Sequence, residues 1–426
     1  MKYLIIGNSA SGVGAAEAIR GVDKDSQIVM ITDEKETIYS RPLLSYLFDG
    51  TIPKKDLWYR PDEFYKNNNV DILCNKKVVN VSLEGRYVLV DNGEKIFYDK
   101  LLIAAGSFPK MPDIPGIDKE GVFSFRNLSD LEKILSRMKS TEKAFVLGGG
   151  NIGLQAACGL KKFGIDTTVI VGSPYILSQL ADETTGEIYR DLFEKNGISI
   201  KTNSSVTEIL GDKKVKKVKF RDGAIRECQI VIIGKGVNPN IGFLESTDIK
   251  CRWGIDVDKY MRTSADNIYA AGDVAETIDI ITGEKTINAI WPCAYEQGRI
   301  AGFNMAGLMK KYQGSIRMNA AEFFGLPFIS IGIVKTTGED SEIISYLDRQ
   351  KNIYKKVIIK NNVLIGLILI KDIDKAGLYN NLIRKKTDIS RVKSILLSDS
   401  FNAGVLISLI KKDEDLLSED ILGEII

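Results

Sequence analysis

The stretch that decides the fold is Met1–Gly50, MKYLIIGNSASGVGAAEAIRGVDKDSQIVMITDEKETIYSRPLLSYLFDG. Apolar residues 2–6 predict a buried strand, the turn GNSASG follows at once, and residues 13–20 carry the small apolar residues of a helix packed on a sheet. A second apolar run ends in Asp33 and Glu34. This order is typical of a dinucleotide-binding unit, in which glycines bring a helix N-terminus against a pyrophosphate and an acid takes the ribose hydroxyls.

The glycine pattern is imperfect, because Ser9 stands where the second glycine of G-x-G-x-x-G is expected. Its side chain crowds the approach of a phosphate, although its hydroxyl can donate a hydrogen bond there. A plain βαβ crossover is the alternative interpretation. Asp33 lies 21 residues beyond Gly12 (33 − 12), within the usual range, and this spacing favours the nucleotide.

Composition excludes several classes of function. The chain has 426 residues, enough for two or three domains, and its 44% apolar and 27% charged residues are ordinary for a globular protein. A net charge of +2 does not indicate a nucleic acid as partner, and no apolar run approaches the ~18 residues of a membrane span. We therefore expect no nucleic acid and no membrane among its partners, and a cytoplasmic location.

The supply of reactive side chains is limited. The sequence contains no histidine, which removes imidazole acid–base chemistry, histidine metal ligation and Ser–His or Cys–His nucleophiles. The five cysteines are scattered and form no CxxC, which argues against a disulfide framework, a zinc site and an iron–sulfur cluster held by this chain. We expect no metal site and no catalytic side chain, with the chemistry supplied mainly by a cofactor.

The pattern of the first fifty residues returns once. Residues 144–147 predict a strand, GGGNIG at residues 148–153 is a full G-x-G-x-x-G match, and residues 154–163 and 167–171 predict the helix and the second strand. Two such units in one chain are far more specific than one. The alternative is a duplicated α/β scaffold in which only one site binds a ligand.

Two further segments each predict a strand that ends in glycine. The last hundred residues do not repeat this pattern. The segments are IVIIGKG at 230–236 and DNIYAAGDVAE at 266–276, although an aspartate such as Asp273 is often only an N-cap. From about residue 314 the sequence predicts antiparallel strands and two helices, at 376–386 and 390–397, without a nucleotide signature. We predict a separate α+β module there.

Together these motifs resemble the two-dinucleotide flavoprotein reductases. GNSASG with ITDE, LLIAAG, GGGNIG, IIGKGVNPN and IYAAGDVAE carry the resemblance to the superfamily. TIYSRPLLSYLF, WPCAYEQGRIAGFNMAG and RMNAAEFFGLPFISIG are similar to segments of the branch of NADH:rubredoxin reductases and the N-terminal part of nitrite reductase. The resemblance implies an α/β fold with two Rossmann-like dinucleotide-binding domains. The FAD-binding domain (1–111 and 237–314) would be interrupted by an NAD(P)-binding domain (112–236) and followed by a C-terminal α+β domain (315–426).

The resemblance also implies cofactor-binding residues, all in the quoted motifs or beside them. For FAD they are Gly7, Ala10, Ser11, Gly12, Asp33, Glu34, Arg41, Pro42, Val78, Ala104, Ala105, Gly106, Arg126, Gly272, Asp273, Trp291 and Pro292. For the pyridine nucleotide they are Gly148, Gly150, Asn151, Ile152, Gly153, Gly234 and Gly236. By the same resemblance, Arg41, Trp291 and Pro292 would lie on the flavin side. As alternatives, the arginines would merely solvate a surface and Trp291 would pack in a core.

The departures from the family pattern are equally informative. The segment Ser40–Pro42 stands where oxidases, peroxidases and coenzyme A disulfide reductases of the superfamily carry a redox cysteine, so we expect no cysteine-sulfenate or disulfide chemistry. Val171, where relatives read the ribose of the pyridine nucleotide, is followed by Gly172 and Ser173, with neither a carboxylate nor an arginine. The choice between NADH and NADPH is therefore left open.

The function that the resemblance implies is a flavin relay. NADH or NADPH would reduce FAD, and the flavin would pass electrons singly to an external rubredoxin or small iron–sulfur protein, because the chain offers no cysteine pair to accept them. The reverse direction uses the same parts. Two alternatives stay open, an NADH oxidase that reduces O2 and a flavoprotein subunit of a larger redox complex. The oligomeric state, a homodimer included, is also open.

Overall fold

The computed structural model describes residues 1–35, 38–335 and 340–411. The strands in chain order are β1 Lys2–Ile6, β2 Gln27–Ile31, β3 Val70–Leu73, β4 Val78–Ser82, β5 Tyr87–Val90, β6 Lys95–Phe97, β7 Lys100–Ile103, β8 Ser107–Pro109, β9 Val122–Ser124, β10 Lys143–Leu147, β11 Asp166–Ile170, β12 Ser199–Lys201, β13 Val206–Leu210, β14 Lys217–Phe220, β15 Ile225–Glu227, β16 Ile230–Ile233, β17 Val237–Pro239, β18 Ile255–Asp256, β19 Ile268–Ala270, β20 Ala275–Ile278, β21 Lys285–Thr286, β22 Met318–Phe323, β23 Leu326–Gly332, β24 Glu342–Asp348, β25 Ile353–Lys360 and β26 Val363–Ile370. The α-helices are α1 Ala10–Val22, α2 Leu44–Phe48, α3 Phe64–Asn67, α4 Leu128–Leu135, α5 Asn151–Lys162, α6 Glu183–Lys195, α7 Trp291–Met305, α8 Ala376–Lys385 and α9 Ala403–Lys411.

The chain divides into two compact units. The first holds Met1–Gln179 and Tyr189–Ser315, and the second holds Leu180–Ile188 and the chain from Ile316 onward. The predicted domain limits are not tested by this division and stay a prediction. Residues 336–339 and 412–426 of the predicted C-terminal domain lie outside the described residues. Within the described ranges, none of the helices has both the length and the apolar character that crossing a bilayer requires.

Two five-stranded parallel sheets form the framework of the first unit. Their strand orders are β19-β7-β1-β2-β3 and β12-β11-β10-β16-β9, and every pairing in both is parallel. The central strands are buried along almost their whole length, because a parallel sheet covered on both faces requires nearly continuous apolar runs such as KYLII and KAFVL. This architecture confirms the predicted α/β fold class. It also brings the carboxyl ends of β1, β2 and β7 to one edge of the first sheet.

The second unit contains an antiparallel sheet in the order β22-β23-β26-β25-β24, with α8 packed on β26. The sequence predicted its four later strands but missed β22 and α9. The helix predicted at 390–397 was wrong, since that stretch has only a single 3-10 turn at Lys393–Ile395. Just before this stretch, Asp388 forms a β-bridge with Val363 and the amide of Ile389 donates to the carbonyl of Asn362 at 2.9 Å, so the backbone is paired with the start of β26.

Helix α7 begins earlier than expected. The sequence predicted its start near residue 295, with Trp291 and Pro292 before it, whereas the helix opens with both residues. Proline is favoured in the first turn, where its missing N–H has no intrahelical partner to lose. Trp291 is therefore a helix residue, and its position is set by the helix.

Candidate functional site

The first glycine loop turns the chain from β1 into α1. Gly7 has a φ of +115°, and a Cβ there would lie 2.1 Å from the carbonyl oxygen of Ala104. A Cβ on Gly12 would lie 2.0 Å from the carbonyl oxygen of Gly7. Only glycine fits at either position, so the first turn of α1, with Ala10 and Ser11, is held tightly against the strand ends. Ser9 is the N-cap of this helix, and its side chain forms no capping bond.

A small cavity at the end of β2 collects candidates that lie far apart in the sequence. Its lining includes Gly7, Asp33, Val78 and Ala105. Their convergence is expected where parallel strands end at one edge of a sheet. Sequence reasoning missed the other lining residues, Ile6, Ile31, Thr32, Lys76, Lys77, Asn240 and Phe243. The cavity thus offers an exposed carboxylate beside a glycine turn, an arrangement that suits an adenosine ribose.

Glu34 lies next to Asp33 but is engaged inside the protein. The hydroxyl of Tyr39 donates to its Oε2 at 2.5 Å, and Arg41 forms an ion pair with its Oε1. Burial raises the pKa of Tyr39, so the hydroxyl stays protonated, and it accepts a hydrogen bond from the amide of Leu128 at 3.1 Å. Both Glu34 oxygens therefore have protein partners, while Asp33 lines the cavity. The neighbouring Pro42 is exposed.

The second FAD motif meets the first at the start of α1. Gly272 has a φ of +81°, and a Cβ there would lie 2.6 Å from Oγ of Ser11. The next residue, Asp273, accepts hydrogen bonds from Arg126 at 2.9 Å and from the hydroxyl of Ser107 at 2.7 Å. The Arg126 side chain is only 27% exposed, so it forms an internal link and does not merely solvate a surface. Ser107 follows Gly106 and was not predicted.

Trp291 lies in a partly buried aromatic cluster at the start of α7. Its ring meets that of Tyr59 edge to face, with centroids 5.1 Å apart. Arg60 lies over the Tyr59 ring at 4.0 Å and forms an ion pair with Glu17 at 2.7 Å. The hydroxyl of Tyr295 donates to the same carboxylate at 2.7 Å. Sequence reasoning missed this cluster, because its members come from three distant segments and no local pattern joins them.

The second glycine loop repeats the geometry of the first. Gly148 has a φ of +134° and a Cβ there would lie 2.1 Å from the Gly234 carbonyl oxygen, while a Cβ on Gly153 would lie 2.1 Å from the Gly148 oxygen. At Gly150, the N-cap of α5, a Cβ would meet nothing within 4 Å. The helix N-terminus is therefore open to a ligand at this point, as a pyrophosphate site requires. Two further candidates, Ile152 and Gly236, are also exposed.

The residues after β11 provide few groups that could bind the adenosine ribose of a pyridine nucleotide. Val171 is 4% exposed, and its side chain packs against Gly149. Gly172 is exposed, with open space where a side chain would be. The Ser173 hydroxyl donates to the carbonyl of Tyr175 at 2.9 Å and accepts from Ser178 at 2.8 Å. Its hydroxyl is thus already used within the protein.

Both glycine loops fit a dinucleotide. Asn8 in the first loop and Asn151 in the second each bury a side-chain oxygen that has no hydrogen-bond partner among the described residues. A buried acceptor without a donor costs about 1–3 kcal/mol, so such atoms are normally satisfied by water or a ligand. The first loop would hold FAD and the second a pyridine nucleotide. In the same described part of the chain, no group of three or more Cys, Asp or Glu residues is placed to hold a metal ion.

Comparison with known proteins identifies the family of this chain. Residues 1–298 match the family model described as pyridine nucleotide-disulphide oxidoreductase, and residues 318–387 match the rubredoxin NAD+ reductase C-terminal domain. The chain is 33% identical over 420 residues to the NAD(P)H nitrite reductase of Bacillus subtilis, covering 98% of this chain and 51% of that protein. It is 37% identical over 321 residues to the NADH oxidase of Methanocaldococcus jannaschii, covering 73% of this chain and 71% of that protein.

A solved structure extends the likeness to the fold. NADH:rubredoxin oxidoreductase from Clostridium acetobutylicum matches with a TM-score of 0.75 and 27% identity, over 92% of this chain and 97% of that one. This chain spans about half the length of the nitrite reductase it resembles. The cofactors of this chain are FAD and a pyridine nucleotide, NAD(H) or NADP(H). The chain therefore belongs to the pyridine nucleotide-disulphide oxidoreductase family, as an FAD-dependent member with a rubredoxin reductase-type C-terminal domain.

Proposed function

We propose that this protein exchanges electrons between NAD(P)H and a small carrier protein of the rubredoxin or iron–sulfur type. The observation that carries the proposal is the combination of two glycine loops with a rubredoxin reductase-type C-terminal domain in one chain. Bound FAD supplies the chemistry, since it takes up two electrons as hydride and releases them one at a time. The similarity to an NADH:rubredoxin oxidoreductase supports this choice of carrier.

In this proposal the chain's own residues bind and orient the two nucleotides. The Gly7–Gly12 loop lets the FAD pyrophosphate approach the start of α1, while Asp33 takes the adenosine ribose and Asp273 faces the phosphate and ribityl part. Arg126 holds Asp273 in place through their ion pair. The Gly148–Gly153 loop takes the pyrophosphate of the pyridine nucleotide. Trp291, at the start of α7, borders the flavin.

The proposed domain limits follow the same scheme, with FAD bound by 1–111 and 237–314 and the pyridine nucleotide by 112–236. One observation supports them. Strands β8 and β17, which lie at the two places where the chain would cross between these domains, pair antiparallel. The amide of Lys110 also donates to the carbonyl of Gly236. The two crossings therefore lie side by side, as an inserted domain requires.

Cysteine has no part in the proposed electron path. Burial raises the pKa values of Cys158 and Cys228 to about 12, so neither is a thiolate at neutral pH. The segment at Arg41 and Pro42 contains no cysteine. None of the five cysteines, all of which lie within the described residues, forms a disulfide, as is usual at the cytoplasmic location that we propose.

The test is anaerobic stopped flow with the purified FAD-bound protein. We expect one equivalent of NADH or NADPH to bleach the flavin, and the reduced protein then to reduce recombinant rubredoxin or a [2Fe–2S] ferredoxin at least ~100-fold faster than it reduces O2, a difference of about 2.7 kcal/mol in barrier. Oxygen reacting as fast as either carrier would favour an NADH oxidase, as the similarity to the M. jannaschii protein suggests.

A second candidate is a flavoprotein component of a larger redox assembly. The observation that favours it is the similarity of this chain to a segment that makes up about half of a nitrite reductase. In that case the flavin would still be reduced by NADH, but both free carriers would react slowly. Co-purification of the tagged protein from its native cells with a redox partner would then separate this candidate from the first.

A further inference from the structure

A buried charged cluster lies at the start of α6, and neither glycine loop uses it. Asp182 caps the helix, accepting bonds through Oδ1 from the amide and the hydroxyl of Thr185 at 3.1 and 2.8 Å. Its Oδ2 accepts from the Tyr354 hydroxyl at 2.7 Å and the Lys356 ammonium at 2.9 Å. The side chains of Asp182 and Lys356 are only 15% and 10% exposed. All four residues belong to the second unit.

This cluster holds a charged carboxylate. Burial opposes ionisation of Asp182, but the hydrogen bonds from Lys356 and Tyr354 outweigh it and hold the pKa of the carboxyl below its ordinary value. Lys356 also donates to the carbonyl of Val334 at 3.3 Å. A buried ion pair is strongly destabilising to break, because removing one partner leaves an uncompensated charge. The start of α6 is therefore fixed firmly to β25.

The segment before Asp182 contains one residue in a strained backbone conformation. We call residues 171–181, between β11 and Asp182, the nucleotide loop. Leu177 in this loop is 1% exposed and has a φ of +57°, a left-handed conformation that a non-glycine residue keeps only when its surroundings hold it. Its amide donates to the carbonyl of Gly149 at 2.7 Å. The loop is thus tied to the second glycine loop on one side and continues into Asp182 on the other.

We propose that Asp182, fixed by Lys356 and Tyr354, is a positioning residue for the nucleotide loop and so sets the affinity for the pyridine nucleotide. The inference rests on the proposed binding of that nucleotide at Gly148–Gly153. Asp182 lies five positions after Leu177, so freeing the cap of α6 releases the end of a strained loop. The freed loop must then be ordered when the nucleotide binds. The entropy lost in that ordering weakens the affinity for the nucleotide and leaves the flavin chemistry unchanged.

The test compares two neighbouring lysines of β25 in the FAD-bound protein. Lys356→Met breaks the pair with Asp182, whereas the control Lys355→Met removes an equally buried lysine whose partner is the more exposed Asp372, outside residues 180–188. For Lys356→Met we expect amide hydrogen exchange in residues 171–181 to rise about tenfold or more, the opening measured being local. We also expect the Kd for NAD+ and the KM for NADH to rise at least about fivefold, with kcat and FAD content unchanged. The control should show neither change.

Tyr354→Phe removes one oxygen and carries the test if Lys356→Met does not fold; it should change exchange and KM in the same direction by a smaller factor. The positioning role would be overturned if amide hydrogen exchange and nucleotide affinity stayed at wild-type values in these variants. It would also be overturned if both changed equally in Lys355→Met. Failure of the wild type to bind either pyridine nucleotide would instead overturn the proposed function. The exchange comparison distinguishes these results, because it needs no nucleotide.

Discussion

At the residue scale, two adjacent acids at the end of β2 have different surroundings. Both oxygens of Glu34 are taken by Tyr39 and Arg41, while Asp33 is exposed and lines the cavity beside Gly7. A carboxylate already paired inside the protein cannot bind ribose hydroxyls without losing those partners, and that loss is costly. Asp33 is therefore the better candidate for the ribose of FAD, and Glu34 for holding the adjoining segment.

Asp33→Asn should weaken FAD binding without destabilising the apoprotein. Hydrogen bonds to a charged group contribute about 1.5–3 kcal/mol, so we expect the Kd for FAD to rise about 10- to 100-fold. Fluorescence titration of the apoprotein with FAD measures this. As a control, Glu34→Gln should lower the thermal midpoint of the apoprotein, because it disrupts the contact with Arg41. A larger loss of FAD affinity in Glu34→Gln than in Asp33→Asn would contradict the assignment.

Nucleotide preference should be soft and adjustable at one residue. Neutral hydrogen bonds near the far ribose contribute only about 0.5–1.5 kcal/mol each, so we expect the wild type to distinguish NADH from NADPH by less than about 100-fold. Gly172 is exposed with open space around it, whereas Val171 is buried against Gly149. Gly172→Arg should therefore shift preference toward NADPH and Gly172→Asp toward NADH, by charge attraction and repulsion of the 2′-phosphate.

The measurement is the rate of flavin reduction with each nucleotide. The two substitutions at Gly172 control for each other, since both add a side chain at the same open position and differ in the sign of its charge. Equal shifts in the same direction would show that this position does not face the 2′-phosphate. Wild-type discrimination beyond about 1,000-fold would mean that residues other than 171–173 read the ribose.

At the element scale, α1 and α7 approach so closely that glycine is required between them. A Cβ on Gly298 would lie 2.0 Å from the carbonyl oxygen of Ser11, and one on Gly302 would lie 2.5 Å from that of Ala15. Small residues on both helices make this contact possible. These close backbone approaches therefore position the first turn of α1 against the helix that begins at Trp291, and place two groups of candidate FAD residues together.

Gly298→Ala should force these helices apart. Overpacking of this kind costs about 1–3 kcal/mol, and we expect a decrease in unfolding free energy near the upper end together with weaker FAD retention. Gly21→Ala, near the end of α1, is the control, since a Cβ there meets nothing within 4 Å and should stabilise the helix by about 0.4–1 kcal/mol. Chemical denaturation of both variants measures the difference. Equal stability in the two variants would show that α1 and α7 move apart without cost.

At the scale of the whole molecule, the first unit contains the strand–glycine–helix arrangement twice. Gly7 meets Ala104 as Gly148 meets Gly234, and in each case the carbonyl oxygen belongs to the residue that follows a neighbouring parallel strand. The second unit contains an antiparallel sheet and neither glycine loop. Stabilisation by FAD should therefore be concentrated in the first unit.

Removing FAD should lower the stability of the first unit by a predictable amount. At a free FAD concentration of about 100 times Kd, binding adds about 2.7 kcal/mol to the unfolding free energy of the part that binds it. We expect hydrogen exchange to slow in β1, α1 and β19 when FAD is added to the apoprotein, with smaller changes in β25 and β26. Protection confined to β25 and β26 would place the flavin site elsewhere.

Much of the framework could be predicted because its determinants are local. The strands β1, β2 and β10 and the helices α1 and α5 follow from apolar periodicity, and the loops between them follow from glycines that alone tolerate their backbone. Predictions failed where local signals were weak, as for β22, or next to a segment that pairs with a distant strand, as at Asp388. The start of α7 was misplaced because proline was taken to precede the helix when it belongs to its first turn.

The sequence by itself determined the two dinucleotide units, the family resemblance and the absence of histidine chemistry. The tertiary structure alone decided which side chains meet. Arg126 and Asp273 are 147 residues apart, and Tyr295 and Glu17 are 278 apart, yet each pair shares a hydrogen bond. Only the fold brings the charged group at Asp182 together with Lys356. Strand and turn preferences are properties of neighbouring residues, whereas these contacts depend on chain closure over long distances, which leaves no local pattern in the sequence.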